Sequence, residues 1–264
     1  MNWYKAKTIL IIFFLCTNIF LLVNILNAAD KSTAIPDAVI SSAVDVLAQN
    51  GIAIDPDLIP RRNQAAAVIH AENVARNYDA FAGLLLGGNI QKAEDNTYTS
   101  PAGTISFAGD SFSFTAGDVP LSNASPAKAA EDFLKELGLD LSGSRRTVSG
   151  GQVVYKKSFA GSPFFNGSLT LQIENGGVRT MQGCWFQEKR QGLFREKSAL
   201  KSAASILVDF AAQGSGAARV TGLEFGYTLP DTHTLHPETE LVPTWMITTD
   251  SGEQIFMDAR ENDT

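Results

Sequence analysis

Residues 8–26 read TILIIFFLCTNIFLLVNIL, a run of 19 residues without a charged side chain. As one helix rising about 1.5 Å per residue it spans roughly 28 Å, close to the ~30 Å hydrocarbon core of a bilayer. It is longer than the ~7–15-residue apolar region of a signal peptide, and the best cleavage candidate, Asn27-Ala28-Ala29, puts Asn where a small residue belongs, so length favours a retained anchor over a cleaved leader. Lys5 and Lys7 precede the run, whereas Asp30 and Lys31 follow it and cancel. The positive-inside rule then keeps the amino terminus in the cytoplasm. The expected layout is a cytoplasmic tail over 1–7, a transmembrane helix over 8–27 and a tether over 28–35, in a single-pass cell-membrane protein whose C-terminal domain is extracytoplasmic. Within the run, Thr17 and Asn24 share a helix face and Asn18 lies about 100° round from Thr17. A polar side chain in hydrocarbon needs a partner, so Thr17, Asn18 and Asn24 are expected to contact another transmembrane helix. For Asn24, a hydrated place at the outer interface is an equally open reading.

Beyond the run, composition bounds the rest. The chain has 264 residues, enough for one or two domains. All 28 acidic residues follow residue 29, against 19 basic ones, for a net charge of −9 over that portion. Such a balance argues against nucleic acid or anionic lipid as a partner. Cys16 lies in the apolar run and Cys184 far outside it, so no internal disulfide is expected. Cys184 reads as a small buried hydrophobe.

The pattern after residue 36 alternates helix and hairpin. Ile40, Ala43, Val44 and Leu47 recur at helical spacing between Pro36 and Gly51. Tyr78 to Leu86 reads as a second short helix stopped by Gly87-Gly88, and Ala65 to Val74 is ambiguous between strand and helix. Ile105, Phe107, Phe112 and Phe114 alternate with polar residues around Gly109-Asp110, a β-hairpin with one apolar face. A helix begins at Ser125-Pro126 with Ala130, Phe133, Leu134 and Leu137 as its stripe. Gln152 to Phe159 follows as a strand, and Leu169, Leu171 and Ile173 alternate up to an Asn175-Gly176 turn. The plan recurs with a helix through Ala203, Ala204, Leu207, Phe210 and Ala211, a strand through Leu223, Phe225, Tyr227 and Leu229, and a hairpin turning at Asp250-Ser251-Gly252. An offset of 76 residues lays Leu169-Thr170-Leu171 on Trp245-Met246-Ile247, Gly176 on Gly252 and Met181 on Met257. This suggests an internal duplication. The expected fold class is α+β: antiparallel sheets each packed by a helix, in an N-terminal subdomain over 36–120 and a tandem repeat region over 121–264.

No nucleophile elbow, zincin motif or phosphate-binding glycine loop occurs, so no catalytic residue, no cofactor and no metal site are expected. His233 and His236 have an H-x-x-H spacing near Asp231 and Glu238, but in a loop-like segment that reads as a solvated turn. Arg61-Arg62 and Arg145-Arg146 are basic pairs in loops, read as solvated surface with docking to an acidic partner as the minor alternative. Phe164 and Phe165 flank a Pro163 turn and Asn166-Gly167, which makes them a candidate contact for a partner ectodomain.

The opening MNWYKAKTILIIFFLCTNIFLL resembles the amino terminus of the YycI (WalI) family, above all in Asn2-Trp3, Lys5, Lys7, Thr8-Ile9 and Asn18-Ile19-Phe20-Leu21-Leu22. FAGSPFFNGSLTLQIENGGV and LVPTWMITTDSGEQIFMDA resemble the YycH-like domain of that family, the second segment also resembling the small modules called PepSY. The resemblance implies two PepSY-like repeats in 121–264 and a non-enzymatic accessory protein of the YycFG (WalRK) two-component system of Gram-positive-type bacteria. Its implied partners are a YycH-like membrane protein and the sensor histidine kinase YycG (WalK), and its implied process is cell-wall homeostasis. The alternative expectation is an anchored PepSY-like module that sequesters a peptide or restrains a protease.

Overall fold

The longest strand, Ser162–Glu174, hydrogen-bonds to three others. It runs antiparallel to Gln152–Phe159 on one side and to Gly177–Cys184 on the other, and parallel to Arg219–Thr228 through Phe164 and Tyr227. The computed structural model describes residues 7, 11–22, 34–119, 122–189, 197–198, 200–214, 218–230 and 238–261. Its helices are α1 (described over 11–22), α2 (Asp37–Gln49), α3 (Tyr78–Leu86), α4 (Pro126–Glu136) and α5 (Ala203–Ala212). The chain divides into two compact units, each discontinuous in sequence.

The first unit takes residues 1–64, 201–221 and 249–251. Its helix α2 buries Ile40, Ala43 and Leu47 and packs on α5, which buries Ile206, Leu207 and Phe210. Gly51, at φ +76°, lets the chain leave α2. Ser202 caps α5 by accepting the N–H of Ser205 at 3.1 Å, and Ala53–Ile54 pairs in parallel with Arg219 and Val220.

The second unit takes residues 65–200, 222–248 and 252–264. Seven antiparallel strands lie side by side in the order Thr97–Ser100, Gly103–Ala108, Ser111–Ala116, Gly177–Cys184, Ser162–Glu174, Gln152–Phe159 and Arg145–Ser149. Alternation sends Ile105, Phe112, Phe114, Val153, Tyr155, Leu169, Leu171 and Met181 to one face, where α3 and α4 cover them. Asn175 and Gly176 both have positive φ, as a two-residue hairpin turn demands. A second cluster gathers Ile69, Phe159, Phe164, Cys184, Phe186, Tyr227 and Leu241. Ala65 to Val74 resolves as two short strands, Ala66–Ala67 and His70–Asn73, in small side sheets.

Three expectations are corrected. Among the described residues the chain is mostly sheet, with a large mixed sheet of 12 strands and five helices, instead of α+β with separate antiparallel sheets each packed by a helix. The parallel pairs to Arg219–Thr228 merge what local patterns read as separate hairpins. The two-repeat arrangement falls with it: Met181 faces Leu171, but Met257 faces Trp245, so a constant 76-residue offset does not preserve register. Among the described residues no helix is long and apolar enough to cross a membrane. That finding overturns the transmembrane helix over 8–27, the membrane keywords and the single-pass membrane localisation.

Leu171 is fully buried at the centre of the seven strands. Leu171→Ala is expected to lower unfolding free energy by about 2–5 kcal/mol in a denaturant titration. A loss below about 1 kcal/mol would contradict this placement of the core.

Candidate functional site

Alternation along Ser162–Glu174 separates the two phenylalanines picked out from the sequence. Phe164 is 3 % exposed and packs edge-on against Phe159 and Phe186, with ring centroids 5.5 and 5.3 Å away. It is a core residue. Phe165 points to the opposite face, half-buried, with its ring 5.4 Å from that of Phe256. A Cβ on Gly226 would come within 2.6 Å of the Phe165 ring, so only glycine lets that ring lie flat on the neighbouring strand. Met246 stands in register with Phe256, and Phe256 is 47 % exposed. Phe165, Met246 and Phe256 thus form an apolar platform over Gly226, on the face opposite Tyr227, Trp245 and Ile247. Glu224, exposed two residues before Gly226, shares that face.

The signal in the sequence for Phe256 was its place in QIFMD, where Ile255 and Met257 already supply the inward residues. Thr17 and Asn18 are exposed on α1, where the Thr17 hydroxyl donates to Phe13 O at 2.9 Å. Asn24, His233, His236 and Asp231 lie outside the described residues.

Two cavities carry polar side chains. One, of about 380 Å³, is lined by Asp140, Ser142, Arg145, Lys157, Phe159 and Glu188. Lys157 is 3 % exposed there; its Nζ donates to Ser142 O at 2.8 Å and Asp140 O at 3.2 Å, with the Asp140 carboxylate 4.0 Å away and the Phe159 and Trp185 rings beneath it. Burial pushes its amine below the usual lysine range, partly offset by Asp140 and Glu188. Two of its three donors hold the 140–144 loop, which makes Lys157 a strut. The other cavity, about 420 Å³, lies between α3 and the loop after α4, lined by Arg76, Phe81, Leu84, Leu137 and Gln187. Elsewhere, Glu238 accepts from Lys189 at 2.6 Å and lies 3.6 Å from His70; Lys189 first and His70 next hold its carboxyl below the ordinary range. Among the described residues no group of three or more His, Cys, Asp or Glu is placed to hold a metal ion. Arg61 pairs with Asp37 at 2.5 Å and Arg146 with Glu131 at 3.1 Å.

No protein-family model and no curated protein matches the chain. Among solved structures, an uncharacterized protein from Eubacterium rectale ATCC 33656 is similar at 9 % identity and a TM-score of 0.44, over 80 % of this chain and 89 % of that one. A likeness of that degree assigns no function.

Cys184 is buried, its Sγ donating to Asn166 O at 2.7 Å, and burial pushes its thiol up to about 11. Cys16 is exposed. A maleimide at pH 7 is expected to label the native chain at Cys16 quickly and at Cys184 only after unfolding. Because the folded thiol keeps its proton where the unfolded one, near 9, loses it, the Cys184 contribution to stability is present below pH 9 and is lost as pH rises from 9 towards 11. Rapid native labelling of Cys184 would contradict its burial.

Proposed function

We propose that this chain is a non-enzymatic binding protein that regulates a sensor histidine kinase of the YycG type together with a YycH-like partner. The observation that carries the binding role is the Phe165, Met246 and Phe256 platform, an apolar patch beside an acidic residue on an open sheet face. Phe256 is exposed with half-buried Phe165 and Met246 beside it, and apolar groups gathered within a polar rim mark association surfaces more often than isolated ones do. The kinase and the YycH-like partner come from the resemblance of the amino-terminal block to the YycI family. Thr17, Asn18 and Asn24 are the proposed contacts on the amino-terminal side.

Regulation of this kind is a difference in affinity for two states of the kinase. A coupling of about 1–3 kcal/mol moves output by roughly 5–150-fold. Phosphorylation of the cognate response regulator, compared between cells with the native chain and cells lacking it, is therefore expected to differ by at least about fivefold and to be restored by the native chain. Replacing Thr17, Asn18 and Asn24 together by leucine is expected to reproduce the deletion at normal chain abundance. Equal phosphorylation with and without the chain overturns the kinase role, and leaves peptide sequestration or protease restraint as the reading to pursue.

A further inference from the structure

The cavity of about 420 Å³ between α3 and the turn after α4 has walls that the fold holds in place. Phe81, 4 % exposed, packs its ring 5.0 Å from that of Phe112 and 6.3 Å from that of Phe107. On the other wall, the turn after α4 spends its backbone donors on the helix it ends. Leu137 N–H donates to Phe133 O at 3.1 Å, Gly138 N–H to Lys135 O at 2.9 Å and Leu139 N–H to Leu134 O at 3.0 Å. Leu84, on α3, adds an apolar side chain that is 52 % exposed. The volume falls in the ~300–1,000 Å³ range of small-molecule sites.

Four polar side chains line this cavity: Glu72, Arg76, Asn77 and Gln187. Three of them are engaged. Arg76 and Glu72 pair with each other, so the two charges cancel. Asn77 Oδ1 accepts the N–H of Ala80 at 3.1 Å and caps α3. Gln187 differs. The strand Phe186–Glu188 pairs antiparallel with His70–Asn73 and sets Gln187 opposite Glu72, while its neighbour Phe186, 1 % exposed, turns into the second core cluster. The Gln187 Nε2 is buried and has no hydrogen-bond partner. Buried donors in native proteins nearly always have one, and each exception calls for an explanation. The last torsion of a glutamine side chain is broad, so the amide turns toward the cavity at little cost, and Nε2 gives up no bond in doing so.

We propose that this cavity binds a small neutral molecule with an apolar body and one carbonyl oxygen. The oxygen accepts from Gln187 Nε2, and the body lies against Phe81, Leu84 and Leu137. The lining selects each part of that description. Glu72 and Arg76 neutralise each other, so a charged ligand would lose its hydration and find no unmatched counter-charge. The unmet group is a donor, which calls for an acceptor. A hydroxyl would bring a donor of its own to a cavity whose one carboxylate, on Glu72, is already engaged by Arg76, so a carbonyl fits better. Apolar walls supply affinity and the single polar contact supplies orientation. The site stands or falls independently of the kinase role.

The probe is benzylacetone, an aromatic ketone, titrated to about 10 mM into the full chain and followed by two-dimensional NMR, in the range where fragments of this size bind. Two isosteres accompany it: the hydrocarbon with a methylidene group in place of the carbonyl oxygen, and hydrocinnamate, which carries a carboxylate. The ketone is expected to bind saturably, to shift the Gln187 side-chain amide and the Phe81 and Leu84 resonances, and to bind at least about tenfold more tightly than either isostere. Gln187→Met, of similar shape, is expected to weaken the ketone about tenfold, to leave the hydrocarbon unchanged and to melt no lower than the native chain. Equal binding of ketone and hydrocarbon overturns the proposal, since water or nothing then serves the Gln187 donor. Tighter binding of hydrocinnamate overturns the neutral ligand, and shifts confined to residues outside the cavity overturn the place. No saturable binding of the ketone also overturns it. The comparison of the three probes uses the native chain and is independent of how Gln187→Met folds.

Discussion

The constraint on which the second unit depends is strand alternation at Phe164 and Phe165. Adjacent residues of an extended chain point to opposite faces, so one ring must go in and the other out. Phe164 goes in, edge-on to Phe159 and Phe186, and carries the parallel contact to Tyr227. Phe165 is thereby committed to the other face, where Gly226 clears room for it. A shift of one residue would bury Phe165 and expose Phe164, emptying the second core cluster. The same event that seats the core builds the platform.

That coupling links the edge strand to the interior. Met257 and Ile255 of Gln254–Asp258 turn inward beside Trp245 and Ile247, so Phe256 between them turns outward. The register is set by buried Met257 and half-buried Ile255 on its inner face, paired with Trp245 and Ile247. Lys157 contributes to rigidity elsewhere in the unit by tying the 140–144 loop to the Gln152–Phe159 strand through two carbonyls.

Much of the local structure was legible in the sequence because its signals are local. Gly109-Asp110 and Asn175-Gly176 mark hairpins by conformations few other residues adopt, and Pro36 with Gly51 brackets α2. What was not legible is the pairing of distant strands. Phe164 and Tyr227 are brought into parallel register by packing of a shared cluster, and no periodicity in either segment announces the other. That missing pairing turned one mixed sheet into an expected set of small antiparallel ones. The apolar run misled in another way: hydropathy measures what a segment tolerates, while among the described residues no helix is long and apolar enough to cross a membrane. For the candidate site, the Phe164-Phe165 pair was visible, but Phe256 was not, since its exposure depends on the pairing of Gln254–Asp258 with Val242–Thr249.

The central claim is that the apolar platform at Phe256 is where this chain meets its partner. The most direct measurement places a photo-crosslinking side chain at position 256 of the full chain in cells and, for comparison, at Val148, which is similarly exposed on the charged edge strand. The account predicts a defined adduct from position 256, containing the sensor kinase or the YycH-like partner by mass spectrometry, and none from position 148. Equal adducts from both positions, or none from position 256 while regulation is intact, would contradict it.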